Sequence, residues 1–385
     1  MPLRLSWLRP AALASVGLVA LALSGRADPA PNQGDAKQGR DSVATCMKID
    51  GALLERGKDG HFTLVKSGDK IPPHKLLIGF PEAELVSSCG KVQINLELYL
   101  GEQLPVTEAG IILNDSPELN ADITIDRGVV GLKGLAKSGD TLIRVRSGEQ
   151  SWMLMLKDPD SQVLVARFGR HQPGTKLTHK GPKKLFIDDP SMHMGVLVVK
   201  GRVTVDTGHA TYAMNAPPGP ALVTWDSVAG YEVKRFDKLP DEVRQLDAIE
   251  AQRFKEICEL TAKLAAGDMG KGLDQMIASD VVRQHRVAVA CMAGLDDLPR
   301  LVAALENPKH ADVRDVAIFA LRNWVGREKG HLTRLHDYLT KEKKYTPVQA
   351  RTIVQLLKGF DDNDRKEPLV YELLIEGKST VIVKD

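Results

Sequence analysis

The sequence is short of the residues that build a fold by cross-linking. Four cysteines in 385 residues cannot make a disulfide scaffold, and their spacing fits neither a Cys-x-x-Cys redox pair nor a zinc site. Aromatic residues are scarce at 5%, so stacking platforms are few. Charge of one sign is lacking as well: 52 Lys and Arg face 50 Asp and Glu with no long block of either, which argues against a nucleic-acid tail or a polybasic membrane patch. Glycine (33) and proline (21) stay near average usage, which excludes collagen-like and low-complexity chains. Apolar material is ample at 43%, and the length predicts about two or three domains with real cores.

Long apolar runs are missing with one exception. Arg4 and Arg9 precede an uncharged stretch, Ala11 to Ser24, whose fourteen residues fall short of the ~20 that span a bilayer. Small residues at Gly25 and Ala27, then Asp28-Pro29, complete the pattern of a secretory signal peptide over 1–27. Cleavage is expected after Ala27, with Ser24 as second choice; an uncleaved anchor is the other reading. Loss of Arg4, Arg9 and Arg26 takes the formal charge from +2 to −1. The expected location is the periplasm or cell envelope, with no membrane span after cleavage and a linker over 28–47. An exported chain permits disulfides, so Cys46 with Cys89 and Cys258 with Cys291 are the economical pairings; four small buried apolar side chains are the alternative.

From 48 to 236 the chain reads as short alternating or β-branched runs between Gly, Pro, Asp and Ser. They are Phe62–Lys66, Lys75–Phe80, Lys91–Tyr99, Ala121–Ile125, Thr141–Arg146, Trp152–Leu156, Val163–Phe168, Val196–Val199, Val203–Val205 and Ala221–Trp225. This pattern predicts a β-sandwich or barrel-like region, and no segment between the runs is long enough for crossover helices. Ile125-Asp126-Arg127-Gly128-Val129-Val130-Gly131-Leu132 resembles Val198-Val199-Lys200-Gly201-Arg202-Val203-Thr204-Val205, about 73 positions on. Either two related lobes, 48–118 and 119–236, or one larger domain with a repeated corner would give that likeness.

Gly51 to Glu97, with Phe62, the turn Ser67-Gly68-Asp69, the strand Leu76-Leu77 and the alternation Glu84–Leu98, resembles the FecR-type periplasmic domain, together with Arg127-Gly128-Val129-Val130. The resemblance implies a β-rich, non-catalytic exported module that contacts other molecules. With ten residues ahead of the apolar stretch, the cytoplasmic anti-sigma segment of that family's best-known members is not expected in this chain.

Near Asp237 the period becomes helical. Pro240, Asp241 and Glu242 form a start signal, followed by one or two helices over Val243–Ala266 that end at Gly267. Further helices are expected near 270–278, 281–294, 297–306, 311–325, 331–341, 346–358 and 365–375, with links short enough to force antiparallel neighbours. Asp312–Leu321 resembles the inner helix of a HEAT-like repeat, and Val287–Ala293 is its upstream counterpart. The organisation read from this is a connector over 237–279, HEAT-like repeats over 280–376 and a tail over 377–385, with a compact helical bundle as the alternative. The expected fold class is thus multidomain, all-β then all-α. The combination resembles exported multi-domain envelope proteins of planctomycete-type bacteria.

No catalytic residues, cofactor site or metal site are expected. The ten histidines lack ligand spacing; Ser67-Gly68-Asp69-Lys70 lies in a β turn; Asp361-Asp362-Asn363-Asp364 reads as a helix cap; Asp188-Asp189 and Asp296-Asp297 read as turn and cap residues. The candidate binding residues are Trp152 and Trp225 on β faces, for a sugar ring or a partner protein, and Arg314, Arg322, Trp324 and Arg327 in the helical half. Core positions are the other reading of the tryptophans. The function expected is a non-enzymatic sensor or adaptor with a protein partner in the envelope, or alternatively a cell-surface glycan binder, with no nucleic-acid partner.

Overall fold

Period-two alternation dominates up to Phe236, and strands form there. A computed structural model describes residues 40–358 apart from 81, 98–99, 102–103, 106–107, 172–177, 180–184, 187–188, 241–242 and 244–247. The signal peptide, most of the linker, Asp188, the Asp361–Asp364 cluster, the 365–375 helix and the 377–385 tail lie outside the described residues. The first strands are β1 (Ala44–Ile49), β2 (Ala52–Arg56), β3 (Phe62–Leu64), β4 (Lys70–Ile71), β5 (Leu76–Phe80), β6 (Ala83–Ser87), β7 (Val92–Glu97), β8 (Leu100–Gly101), β9 (Leu104–Pro105) and β10 (Ala109–Leu113). They are followed by β11 (Ala121–Gly134), β12 (Thr141–Ser147), β13 (Gln150–Leu156), β14 (Gln162–Arg170), β15 (Thr178–His179) and β16 (Leu185–Phe186). The last are β17 (Ser191–Lys200), β18 (Arg202–Asp206), β19 (Thr211–Asn215), β20 (Gly219–Asp226) and β21 (Gly230–Phe236).

Two layers form, and they share one strand. The first sheet runs β4-β1-β6-β7-β11-β14-β17-β20-β21, antiparallel throughout. The second runs β3-β2-β5-β10-β11-β12-β13-β18-β19 and is antiparallel except between β11 and β12. Neither sheet closes on itself. β11 belongs to the second sheet up to Arg127 and to the first from Gly128. Gly128 sits at φ 81°, and a Cβ there would lie 2.5 Å from the Glu108 carbonyl oxygen, so the bend requires glycine. The second half of β11 serves as the crossover that a parallel β11–β12 pair demands. Gly201, at φ 79°, carries the chain between the same two sheets from β17 to β18. Each of the two similar segments spans such a passage, at Gly128 and at Gly201, and each sheet takes strands from both 48–118 and 119–236.

The inner faces of the two sheets make one core. Val130, Leu132, Val163, Val165, Val196 and Val198 from the first layer meet Ile143, Val145, Trp152, Leu154, Val203 and Val205 from the second. At β2 and β5 the second sheet is buried on both sides. Leu53 and Leu77 face the sandwich, whereas Ala52, Leu54, Ile78 and Phe80 join the core of the helices. That is why Leu76–Phe80 reads as a continuous apolar run.

The helices are α1 (Ala248–Ala265), α2 (Met269–Ala278), α3 (Val282–Gly294), α4 (Leu298–Leu305), α5 (Ala311–Arg327), α6 (His331–Asp337), a π-helical turn Tyr338–Glu342, and α7 (Pro347–Lys358). Asp268 and Asp297 cap α2 and α4 by accepting the backbone N–H of Lys271 and Arg300. α3 packs on α5 and α5 on α7, with α4 and α6 as the intervening returns. Small residues permit the close approach: Ala288, Ala317 and Ala350 are fully buried. The β-then-α class expected from the change of period is what the structure shows.

All four cysteines are free thiols, so neither expected pairing is formed. Cys46 and Cys291 are buried in the two apolar cores, Cys258 is buried outside them and Cys89 is exposed. Burial pushes the Cys46 thiol up to about 11 and Cys258 up to about 12, which keeps both protonated and unreactive.

Candidate functional site

A cluster of charged side chains lies where the two halves meet. The bend at Gly128 aims Arg127 at the C-terminal end of α3, where its guanidinium donates to the Gly294 carbonyl at 3.0 Å and lies 3.6 Å from Asp296. From the other side, Arg327 at the end of α5 donates to Glu108 (2.6 Å), to Asp296 (3.1 Å) and to the Ala293 carbonyl (2.9 Å). Asp296 also accepts the Trp324 indole N–H at 3.0 Å. Burial pushes the Asp296 carboxyl up, but Arg127, Arg327, the indole and His331 together outweigh it and hold it below the usual carboxylate range. His331 lies flat on Trp324, with ring centroids 4.0 Å apart, and its Nδ1–H donates to the Trp324 carbonyl.

A second contact needs the absence of side chains. Gly169 of β14 and Gly326 of α5 touch backbone to backbone, and a Cβ on Gly326 would lie 2.5 Å from the Gly169 carbonyl oxygen. His171, just past β14, donates through Nε2 to the Val325 carbonyl at 3.1 Å, and Lys329 pairs with Asp189 at 2.7 Å. Strand and helix are thereby locked along several residues.

Between these two contacts lies a cavity of about 270 Å³. Phe168, Ala290, Ala293, Val316 and Ala320 form its apolar wall; Arg127, Arg167, Arg170 and Arg327 bring cations, and Glu108 is the one acid among the described residues of the lining. The carboxylates at the junction are already engaged: Glu108 with Arg327, Asp296 with Arg327 and Arg127, and Asp126 with Arg127 at 3.4 Å. Arg167 is left over. It makes no hydrogen bond or close ion pair among the described residues, and its buried Nε has no acceptor. Burial lowers its pKa, against the more distant pull of Asp126 and Glu328 and with the push of Arg127. Arg170 is exposed at the rim. A cavity with one apolar wall and surplus guanidinium charge suits an anion that carries an apolar body.

The residues selected from sequence are distributed differently. Trp152 is fully buried in the sandwich core, with its N–H on Gln150, and presents no face to a sugar ring. Trp225 is half-buried against the same core. Trp324 and Arg327 belong to the junction and are buried there, not on an open concave face. Arg314 donates to the Asn307 carbonyl and so braces the α4–α5 link, and Arg322 lies over Phe319 on α5. The Ser67 hydroxyl is held on the Met47 carbonyl, as fits a turn residue. Asp297 is the helix cap expected, whereas its neighbour Asp296 is the hub of the junction. Arg127, Arg167, Arg170 and Glu108 escaped the sequence reading as site residues. The signal for the first two is an arginine inside an otherwise apolar strand. Comparison with protein-family models, with characterised proteins and with solved structures gives no match for this chain.

Proposed function

We propose that this chain is a non-enzymatic, exported envelope protein that senses an anion with an apolar body in the arginine-lined cavity and relays its state to a protein partner. The observation that carries the reading is Arg167, a cation opening on the cavity without a partner among the described residues. Burial of a guanidinium that only the more distant Asp126 and Glu328 offset is costly, and an anionic ligand reduces that cost. Arginine stays protonated at any physiological pH, so a wall of arginines binds and orients and does not take up protons. The lining comes from β11 and β14 on one side and α3 and α5 on the other. A ligand there touches both halves and biases how they meet, which is the requirement for a sensor. The FecR-like reading of the β region and the HEAT-like reading of the helices fit this role, with the solvent-facing sides of α4 and α6 as the surface offered to the partner.

The test is calorimetric titration of the full mature chain with octanoate and with inorganic phosphate. Octanoate is expected to bind, and Arg167→Gln is expected to weaken it about tenfold or more, the loss of one charge-assisted hydrogen bond. Absence of binding by either anion, or unchanged affinity in Arg167→Gln, rejects the proposal; binding of phosphate alone rejects the apolar part of it.

A further inference from the structure

A separate cluster lies towards the other end of α3. His285, in the first turn of that helix, is 1% exposed, and both of its ring nitrogens face oxygen. Nε2 is 2.6 Å from the Ser279 carbonyl, which only accepts, so Nε2 carries the hydrogen. Nδ1 is 2.6 Å from Oδ2 of Asp312, in the first turn of α5. With its hydrogen on Nε2, the neutral ring turns a lone pair at Nδ1 towards a carboxylate, and the two repel unless a positive species lies between them. A proton meets that need at 2.6 Å, and a metal ion meets it once the two donors part.

A third group favours the metal. His310, the residue before α5, sets its ring 4.7 Å from that of His285, and among the described residues no hydrogen bond engages its ring nitrogens, although its backbone N–H donates to Asn307. One donor atom from each of His285, His310 and Asp312 lies within 4.8 Å of the others. Metal–nitrogen and metal–oxygen bonds of about 2.0–2.2 Å place donors roughly 3.3 Å apart. To reach that spacing the half-buried side chains of His310 and Asp312 would have to rotate. The Ser279 carbonyl behind His285 is the outer acceptor that fixes the tautomer of a metal-bound histidine.

We propose that His285, His310 and Asp312 bind one divalent cation of the zinc class and thereby clamp the start of α3 to the start of α5. Two imidazoles and a carboxylate select such borderline ions over calcium or magnesium, and three ligands leave a fourth position for water. The clamp joins adjacent helical hairpins and is independent of the arginine-lined cavity. A bound ion stabilises the folded chain in proportion to the logarithm of its concentration above the dissociation constant.

Cobalt titration of the chelator-stripped full chain tests this. The expected result is a visible d–d absorption that saturates at about one equivalent and is displaced by zinc, the signature of a nitrogen and oxygen site of low coordination number. His310→Ala and Asp312→Asn should each weaken cobalt binding about tenfold or more. His310→Ala should leave the metal-free thermal midpoint in place, because its ring holds no hydrogen bond. No cobalt absorption in the parent chain, or absorption undiminished in both variants, overturns the assignment.

Discussion

Burial of His331 against Trp324 makes the junction sensitive to mild acid. Burial is the main cause that lowers the His331 pKa, and it outweighs the upward pull of the Trp324 carbonyl, Asp296 and Glu328; Arg327 adds to the lowering. His193 is lowered in the same way, by burial and by Arg170 against Asp226. The unfolded chain therefore binds more protons than the folded one just below the ordinary histidine value of 6.5. This stabilisation is complete above that pH and is lost as pH falls through the lowered folded values. Asp296 has a lowered carboxyl and fails only further down, and Glu82, whose carboxyl burial raises, acts with the opposite sign, so the loss between about pH 6.5 and 4 belongs to the histidines. The thermal midpoint should fall by about 2–4 °C or more between about pH 7.5 and 5, and His331→Gln should flatten that fall. An equal fall in the variant would assign the effect elsewhere. At this scale the sequence was least legible. Trp324, Arg327 and Asp296 are visible as residue types, but their meeting depends on a contact between α5, the α3–α4 turn and Glu108, more than 180 positions upstream of Asp296. Likewise His285 and His310 are too far apart in sequence to suggest ligand spacing.

Elements were far more legible, because hydrophobic period and caps are local. α2, α3, α5 and α7 lie within a few residues of the stretches read from periodicity. Strands were read less completely: β1, β2, β10, β19 and β21 lie outside the runs picked from alternation, and at Asp126-Arg127-Gly128, where the glycine suits a tight turn or bulge, β11 runs on by changing sheets. The close packing of β14 on α5 was also hidden, since Gly169 and Gly326 look like ordinary interruptions in a strand and a helix. Their contact gives the prediction for this scale. A Cβ on Gly169 falls on the Gly326 carbonyl oxygen, where neither backbone has room to yield. Gly169→Ala should therefore destabilise the chain by about 1–3 kcal/mol and raise amide exchange in α5 first. Gly267→Ala is the control, because its Cβ would meet only the Lys263 carbonyl oxygen at 3.9 Å. Equal protection of α5 in Gly169→Ala and the control would show that this contact does not hold the halves together.

The change of period near Asp237 marks a boundary in secondary structure, and it does not mark a boundary in the core. Ala52, Leu54, Ile78 and Phe80 leave the sandwich on its outer side and pack with Ile257, Val289, Met292 and Ala293. Gly294 lies so close to Phe80 that a Cβ there would sit 3.0 Å from its ring. The sequence hinted at this through the unbroken apolar run of β5, which alternation alone would have made half polar. Removal of the helices would uncover that face together with Arg127 and Glu108, charged groups that then lose Asp296 and Arg327. A chain ending at Asp237 should accordingly expose a contiguous apolar patch, bind a hydrophobic dye and associate. Co-expressed with a chain of residues 238–385, it should be recovered as a complex that melts in one transition, because the two pieces complete one interface. A β fragment that stays monomeric, excludes the dye and melts as sharply as the full chain would mean that the halves are independent, and that the cavity between them is a gap between domains and no part of a single binding body.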